Sequence, residues 1–254
     1  MGRRWMNELW FKDPQTLISS LDKVYEAAIR ADKIKSVATV TVKKMMSFRG
    51  WSPKILTANL LEVVESLGVA YVPNDIVPGP AFLFPIPDVT GEPKRIVLRL
   101  CDETAYDTRH IDAGDKTKFI GPSWFGVEEA TIARVIQSRA VLLVEGPFDL
   151  LAVRTMAPSF PVLCPLGKRI TPGHLDYLRI LCVEKVITLW DADAGGRSAS
   201  SRDIKGFRTL NLSLGSRMNC KDPADALKTY ESAYALRDLL LEATPRRPLY
   251  FEDD

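Results

Sequence analysis

The sequence has no close pair of cysteines. Its four, Cys101, Cys164, Cys182 and Cys220, are widely spaced and form no CxxC, which excludes a zinc ribbon and a disulfide framework and points to a reducing cytoplasm. No apolar run approaches the length needed to cross a bilayer, so no membrane partner is expected. The opening MGRRWMNELW has no apolar core of the kind a signal peptide carries. P-loop patterns, repeats and low-complexity tracts are also missing. Net charge is small, +2 over 254 residues, but it is unevenly spread. Up to Lys54 there are 11 basic and 5 acidic residues, or +6, which leaves −4 for the rest. With Lys33, Lys35, Lys43, Lys44 and Arg49 close together and Trp51 after them, the front of the chain has the composition of a nucleic-acid-gripping helix as well as that of an ordinary solvated face.

A hydrophobic share of 46% is ample for a core. The informative stretch is 141–202. Ala140 to Val144 is a continuous apolar run, which reads as a strand buried on both faces of a parallel sheet, and it stops at Glu145. Gly146 follows, and Phe148 to Thr155 has a helical apolar pattern. The same order recurs further on: strand Val186 to Trp190, then Asp191 and Asp193, then Gly195 and Gly196 opening a helix through Ser198 to Phe207. Between them, Phe160 to Pro165 reads as a strand, and Thr171 to Cys182 as a helix capped by Thr171 with Pro172 at its first position. Arg208 to Leu214 reads as a fourth strand. This alternation predicts an α/β fold with a parallel sheet of about four strands flanked by helices.

Residues two apart on an extended chain point the same way. Asp191 and Asp193 are therefore expected to face the groove that Glu145 faces, at the carboxyl ends of the strands where open α/β sheets bind ligands. Three carboxylates, read with no lysine between them in sequence to neutralise them, repel one another unless a cation is bound. Oxygen-only donors favour Mg²⁺ or Mn²⁺. Gly195 and Gly196 let backbone N–H groups approach phosphate at a helix start. Asp149, one turn after Glu145, is expected to hold Glu145 or a basic neighbour in place, or to act as an ordinary first-turn acid. Asp222 and Asp225 are expected to cap the helix that follows Lys221-Asp222-Pro223.

The remaining organisation is coarser. Residues 1–50 read as a helical basic region, with Asp13 and Pro14 starting a helix. Residues 51–138 read as a mixed α/β basic subdomain: a short helical pair ending at Gly68, a loop at Pro78 to Pro80, and a hairpin in AFLFPIPDVTGEPKRIVLRLC turning at Thr90-Gly91-Glu92-Pro93. A loop with Lys116 and Lys118 then leads into a helix around Val127 to Gln137. The acidic-motif domain spans 139–243, and 244–254 is expected to be a frayed tail.

From Ala81 to Tyr230 the motifs, taken in order, resemble the Toprim fold, specifically the catalytic core of bacterial and phage DnaG-type DNA primases. Glu145-Gly146 and Asp149 are similar to that family's EGxxD motif. Asp191, Asp193, Gly196, Arg197 and Arg202 resemble its DxDxxGR motif and the arginine after it, and KDPADAL resembles its terminal acidic motif. The resemblance implies a DNA primase, which synthesises short RNA primers on single-stranded DNA by divalent-metal-assisted nucleotidyl transfer. It implies Glu145, Asp191 and Asp193 as catalytic metal ligands, with Asp222 as a further candidate. It also implies Lys116, Lys118, Lys168, Arg169, Arg197 and Arg202, with Gly195 and Gly196, as contacts to nucleoside triphosphate and template. A replicative helicase and a zinc-ribbon template-recognition element acting in trans are the implied partners, in a bacterial or phage-infected cell. A Toprim-type metal-dependent nuclease is the alternative enzyme. A non-catalytic single-stranded-DNA-binding or helicase-associated subunit is the alternative of another class.

Overall fold

The structure, a computed structural model, describes residues 34–55, 57–72, 80–87, 93–101, 110–113, 123–192, 203–214 and 218–243. The expected helix after Asp13, the hairpin turn at 90–92 and the tail lie outside these. The chain divides into two compact units, 1–125 and 126–254. No helix among the described residues is long and apolar enough to cross a membrane.

In the first unit, α1 (Ile34–Arg49) and α2 (Thr57–Ser66) pack together, and a four-stranded sheet runs β1 (Ala70–Val72), β2 (Ala81–Pro87), β3 (Pro93–Leu100), β4 (His110–Ala113), antiparallel throughout. The helix α1 buries Ala38, Val42 and Met45 and exposes Lys43 and Lys44, an apolar stripe against a solvated basic face. Thr41 is buried as well, and its hydroxyl accepts the Tyr71 N–H at 3.0 Å, tying the helix to β1. Trp51 is 4% exposed, so its ring belongs to the core and offers no outward stacking face. In place of the expected helical pair there is a turn at Pro53 to Ile55 and the single helix α2. The strand β4, which the sequence reading left without structure, is imposed by its pairing with β3 from Ile96↔Ala113 to Arg99↔His110.

The second unit is built on four parallel strands, β5 (Ala140–Val144), β6 (Val162–Leu163), β7 (Lys185–Leu189) and β8 (Arg208–Leu212), in the spatial order β6-β5-β7-β8. All five residues of β5 are buried, as its unbroken apolar run requires. The helix α3 (Glu129–Ser138) packs on β5, and α4 (Pro147–Met156) packs on β5 and β6. All ten residues of α4 are buried. The helix begins with Pro147, whose missing N–H costs nothing there. It ends before Pro158, where Ala157 takes a non-helical conformation as residues ahead of proline do. The next helix, α5 (Pro172–Ile180), starts as predicted: the Thr171 hydroxyl accepts the His174 N–H at 3.3 Å and Pro172 is first. The short α6 (Pro223–Ala226) and α7 (Tyr230–Ala243) cover α4.

The end of one expected helix differs. Of the predicted helix Ser198 to Phe207, the described part, 203–207, is a turn leading into β8. Gly206 sits there at φ 89°, a left-handed backbone that a helix cannot contain.

Candidate metal centre

The strand order sets the site. From β5 the chain crosses through α4 to β6 on one side, whereas β7 lies on the other side of β5 and pairs onward with β8. The gap beyond the carboxyl ends of β5 and β7 is thus a topological switch point, where α/β sheets receive ligands. Val144 and Leu189 are register partners at that edge. Glu145 directly follows one strand and Asp191 follows the other by two residues, so both predicted acids stand at the same edge.

Backbone hydrogen bonds gather the loops around them. The Glu145 carbonyl accepts the Gly167 N–H at 2.9 Å and the Cys164 thiol at 3.3 Å. Past β7, the Ala192 N–H donates to the Lys221 carbonyl at 2.6 Å. Asp149, 7% exposed at the third position of α4, accepts the Gly146 N–H at 2.9 Å and the Ala224 N–H at 3.2 Å. A Cβ at Gly146 would come within 3.1 Å of that carboxylate, which is why glycine fits here. Asp149 is expected either to hold Glu145 or a basic neighbour in place or to act as an ordinary first-turn acid; its described hydrogen-bond partners are two backbone amides, which join the start of α4 to the start of α6. A carboxylate at the third helical position naturally reaches back to the amide at the helix start.

Burial pushes the Asp149 carboxyl well above the usual carboxylate range, and the charges of Asp222 and Asp191 push it the same way. Asp222 is itself buried and caps α6 by accepting the Asp225 N–H at 2.6 Å. The capping reading of Asp222 therefore holds, and the same residue adds negative charge beside Asp149. The resemblance implies Asp222 as a further candidate beside the other acids, and its approach to Asp149 depends on how α6 packs on α4.

One expectation is corrected outright. The reading that no lysine between the acids in sequence neutralises them is wrong: Lys168 lies between them in sequence, and its ammonium is 3.3 Å from Glu145 Oε2. Both side chains are about a quarter exposed, and that carboxylate oxygen is itself shielded from solvent. Arg169, next to it, is exposed. Lys116, Lys118, Asp193, Gly195, Gly196, Arg197 and Arg202 lie outside the described residues. Among the described residues no three His, Cys, Asp or Glu side chains are gathered closely enough to hold a metal ion.

The family described as Toprim-like matches residues 142–227. That span opens in β5, closes just past α6, and contains Glu145, Asp149, Lys168, Asp191 and Asp222. Residues 142–227, about a third of the chain, form a Toprim domain. The RNA polymerase domain of Mycobacterium tuberculosis primase DnaG superposes with a TM-score of 0.54 at 21% identity, covering 72% of this chain and 63% of that one. The chain thus spans less than two thirds of that relative. The E. coli primase catalytic core gives 0.59 at 17% identity, covering 90% and 82%. A DnaG primase catalytic domain bound to single-stranded DNA gives 0.54 at 18% identity, covering 89% and 81%. These likenesses establish the fold: a Toprim domain within the architecture of a primase catalytic core. No curated protein matches the chain.

Proposed function

We propose that this chain is the catalytic core of a DNA primase, joining ribonucleotides into short RNA primers on a single-stranded DNA template. The observation that carries the reading is the placement of Glu145 and Asp191 at the carboxyl ends of paired strands, at the switch point of a Toprim sheet. The donor set fits a hard divalent cation. It is all oxygen, the donor type that Mg²⁺ and Mn²⁺ prefer.

Glu145 and Asp191, with Asp193, would hold Mg²⁺ or Mn²⁺. Such an ion, when bound, neutralises triphosphate charge and stabilises the attacking and leaving oxygens. The chain's own groups do the positioning. Asp149 fixes the start of α4 against α6 and so holds the backbone that presents Glu145. Lys168 and Arg169 at the rim, together with Lys116, Lys118, Arg197 and Arg202, bind nucleotide phosphates and template backbone. Gly195 and Gly196 offer backbone N–H groups to phosphate. DNA complexes of related primase domains support a nucleic-acid substrate. A replicative helicase and a zinc-ribbon element in trans would supply unwinding and template choice.

The test is direct. Purified protein with Mg²⁺ or Mn²⁺, single-stranded DNA, helicase and labelled nucleoside triphosphates should yield short RNAs that vanish when the metal is chelated. Metal-dependent cutting of the template without RNA product would make the chain a Toprim nuclease. Binding of DNA without either reaction would make it a non-catalytic subunit.

A further inference from the structure

We propose that Lys168 is a resident counter-ion of the metal centre. It neutralises Glu145 while no divalent cation is bound, competes with that cation for the carboxylate, and on displacement is released to the phosphates of the incoming nucleotide. The inference rests on the reading of Glu145 as a metal ligand.

Three observations meet here. The first is the pair itself, Lys168 Nζ to Glu145 Oε2 at 3.3 Å, with side chains 24% and 26% exposed. The contact is sheltered enough to be occupied and open enough to be exchanged. A partly exposed pair of this kind is weak. A divalent ion that gains two or more carboxylates at once outcompetes it.

The second is the loop that carries Lys168. It is fastened to the residue that Lys168 neutralises, because the Gly167 N–H donates to the Glu145 carbonyl at 2.9 Å, and the Cys164 thiol donates to the same oxygen. The Leu166 N–H in turn donates to Cys164 Sγ at 3.4 Å. Leu166 at φ 60° and Gly167 at φ 135° put two successive residues in the left-handed region, which turns the chain back at Lys168. For a leucine that conformation is disfavoured and has to be held by its surroundings. The described anchorage is made by backbone and thiol. Losing the ion pair therefore leaves the loop in place, with a flexible four-carbon stem still rooted at the mouth of the site.

The third is the residue type and its neighbour. A lysine is a compact charge on a mobile stem, suited to exchanging partners, where an arginine would clamp a carboxylate with two parallel bonds. Arg169 is already exposed beside it. Displacement would thus put two adjacent cations at the rim where a triphosphate arrives.

Calorimetric titration of the full chain with Mn²⁺, without nucleotide, tests this. Lys168→Met and Lys168→Gln should bind the ion about two- to fivefold more tightly than wild type, the size of a partly exposed pair. Lys168→Arg should stay near wild type or bind more weakly. Glu145→Gln should bind more weakly. The same Met and Gln variants should bind Mg²⁺–ATP less tightly, so the two affinities move in opposite directions. Thermal melting in chelator identifies any variant that fails to fold, and either neutral variant suffices. Unchanged or weaker Mn²⁺ binding in a folded neutral variant, with binding still impaired in Glu145→Gln, overturns the counter-ion role alone. Wild-type Mn²⁺ binding in Glu145→Gln overturns the ligand assignment, and the counter-ion role with it.

Discussion

Asp149 and Arg154 lie five residues apart on the same buried helix, and the two charges are treated in opposite ways. Arg154, 4% exposed, is matched: it pairs with the Glu128 carboxylate, donates to the Thr131 hydroxyl, and donates to the Gly126 carbonyl at 2.9 Å. Asp149 has only backbone amides as described hydrogen-bond partners, and it faces the further acids Asp222 and Asp191. A buried charge that is paired and hydrogen-bonded serves the fold. A buried charge crowded by its own sign destabilises the fold until something positive arrives, and such groups collect at functional sites. One end of α4 is thus matched within the fold, and the other carries the crowded acids on which the proposed cation site draws.

Breaking each end should give different signatures. Asp191→Asn should cut metal-dependent primer synthesis by about 10³-fold or more, the loss of several kcal/mol of charge stabilisation. Its melting temperature in chelator should match or exceed wild type, since a repelled carboxylate has been removed. Unfolding of this variant, seen by circular dichroism, would make Asp191 a structural residue. At the other end, Arg154→Met takes the buried cation away from the partly exposed Glu128 carboxylate and from the Gly126 carbonyl and should cost about 3 kcal/mol in urea unfolding, unrelieved by Mg²⁺.

The smallest effect is the pH dependence of the metal-free fold. The folded Asp149 carboxyl is raised above its unfolded value of about 3.9, so between the two values the native state binds more protons than the unfolded one. Stability from this group therefore falls as pH rises through that window, and the full penalty applies above it. Stability curves in chelator should carry this downward contribution, and Asp149→Asn should remove it. An identical pH profile for wild type and Asp149→Asn would show that the acids beside α4 do not strain it.

How much of this was legible in the sequence varied with how local the cause was. The β5-Glu145-Gly146-α4 unit and the Thr171 cap with Pro172 were readable, because an apolar run, a capping hydroxyl and a proline act within a few residues. The parallel four-stranded sheet followed from the alternation of such units. Lys168 against Glu145 was not readable. It depends on left-handed backbone at Leu166 and Gly167 and on a long-range bond from Gly167 to Glu145. The contact between Asp149 and the start of α6 spans 75 residues and follows from helix packing, which no short pattern encodes. The strand β4 was missed because His110 to Ala113 is short and carries an acid, so its strand character comes from β3 and not from its own propensity. At 203–207 helical expectation gave way to the turn at Gly206.

The central claim is that Glu145 and Asp191 jointly hold a divalent ion at the edge between β5 and β7. Anomalous diffraction from crystals grown with Mn²⁺ tests it most directly. The account predicts a single strong peak coordinated by both carboxylates, with the Lys168 ammonium moved off Glu145. A peak elsewhere, or none at saturating Mn²⁺ with Lys168 still in contact with Glu145, would contradict it.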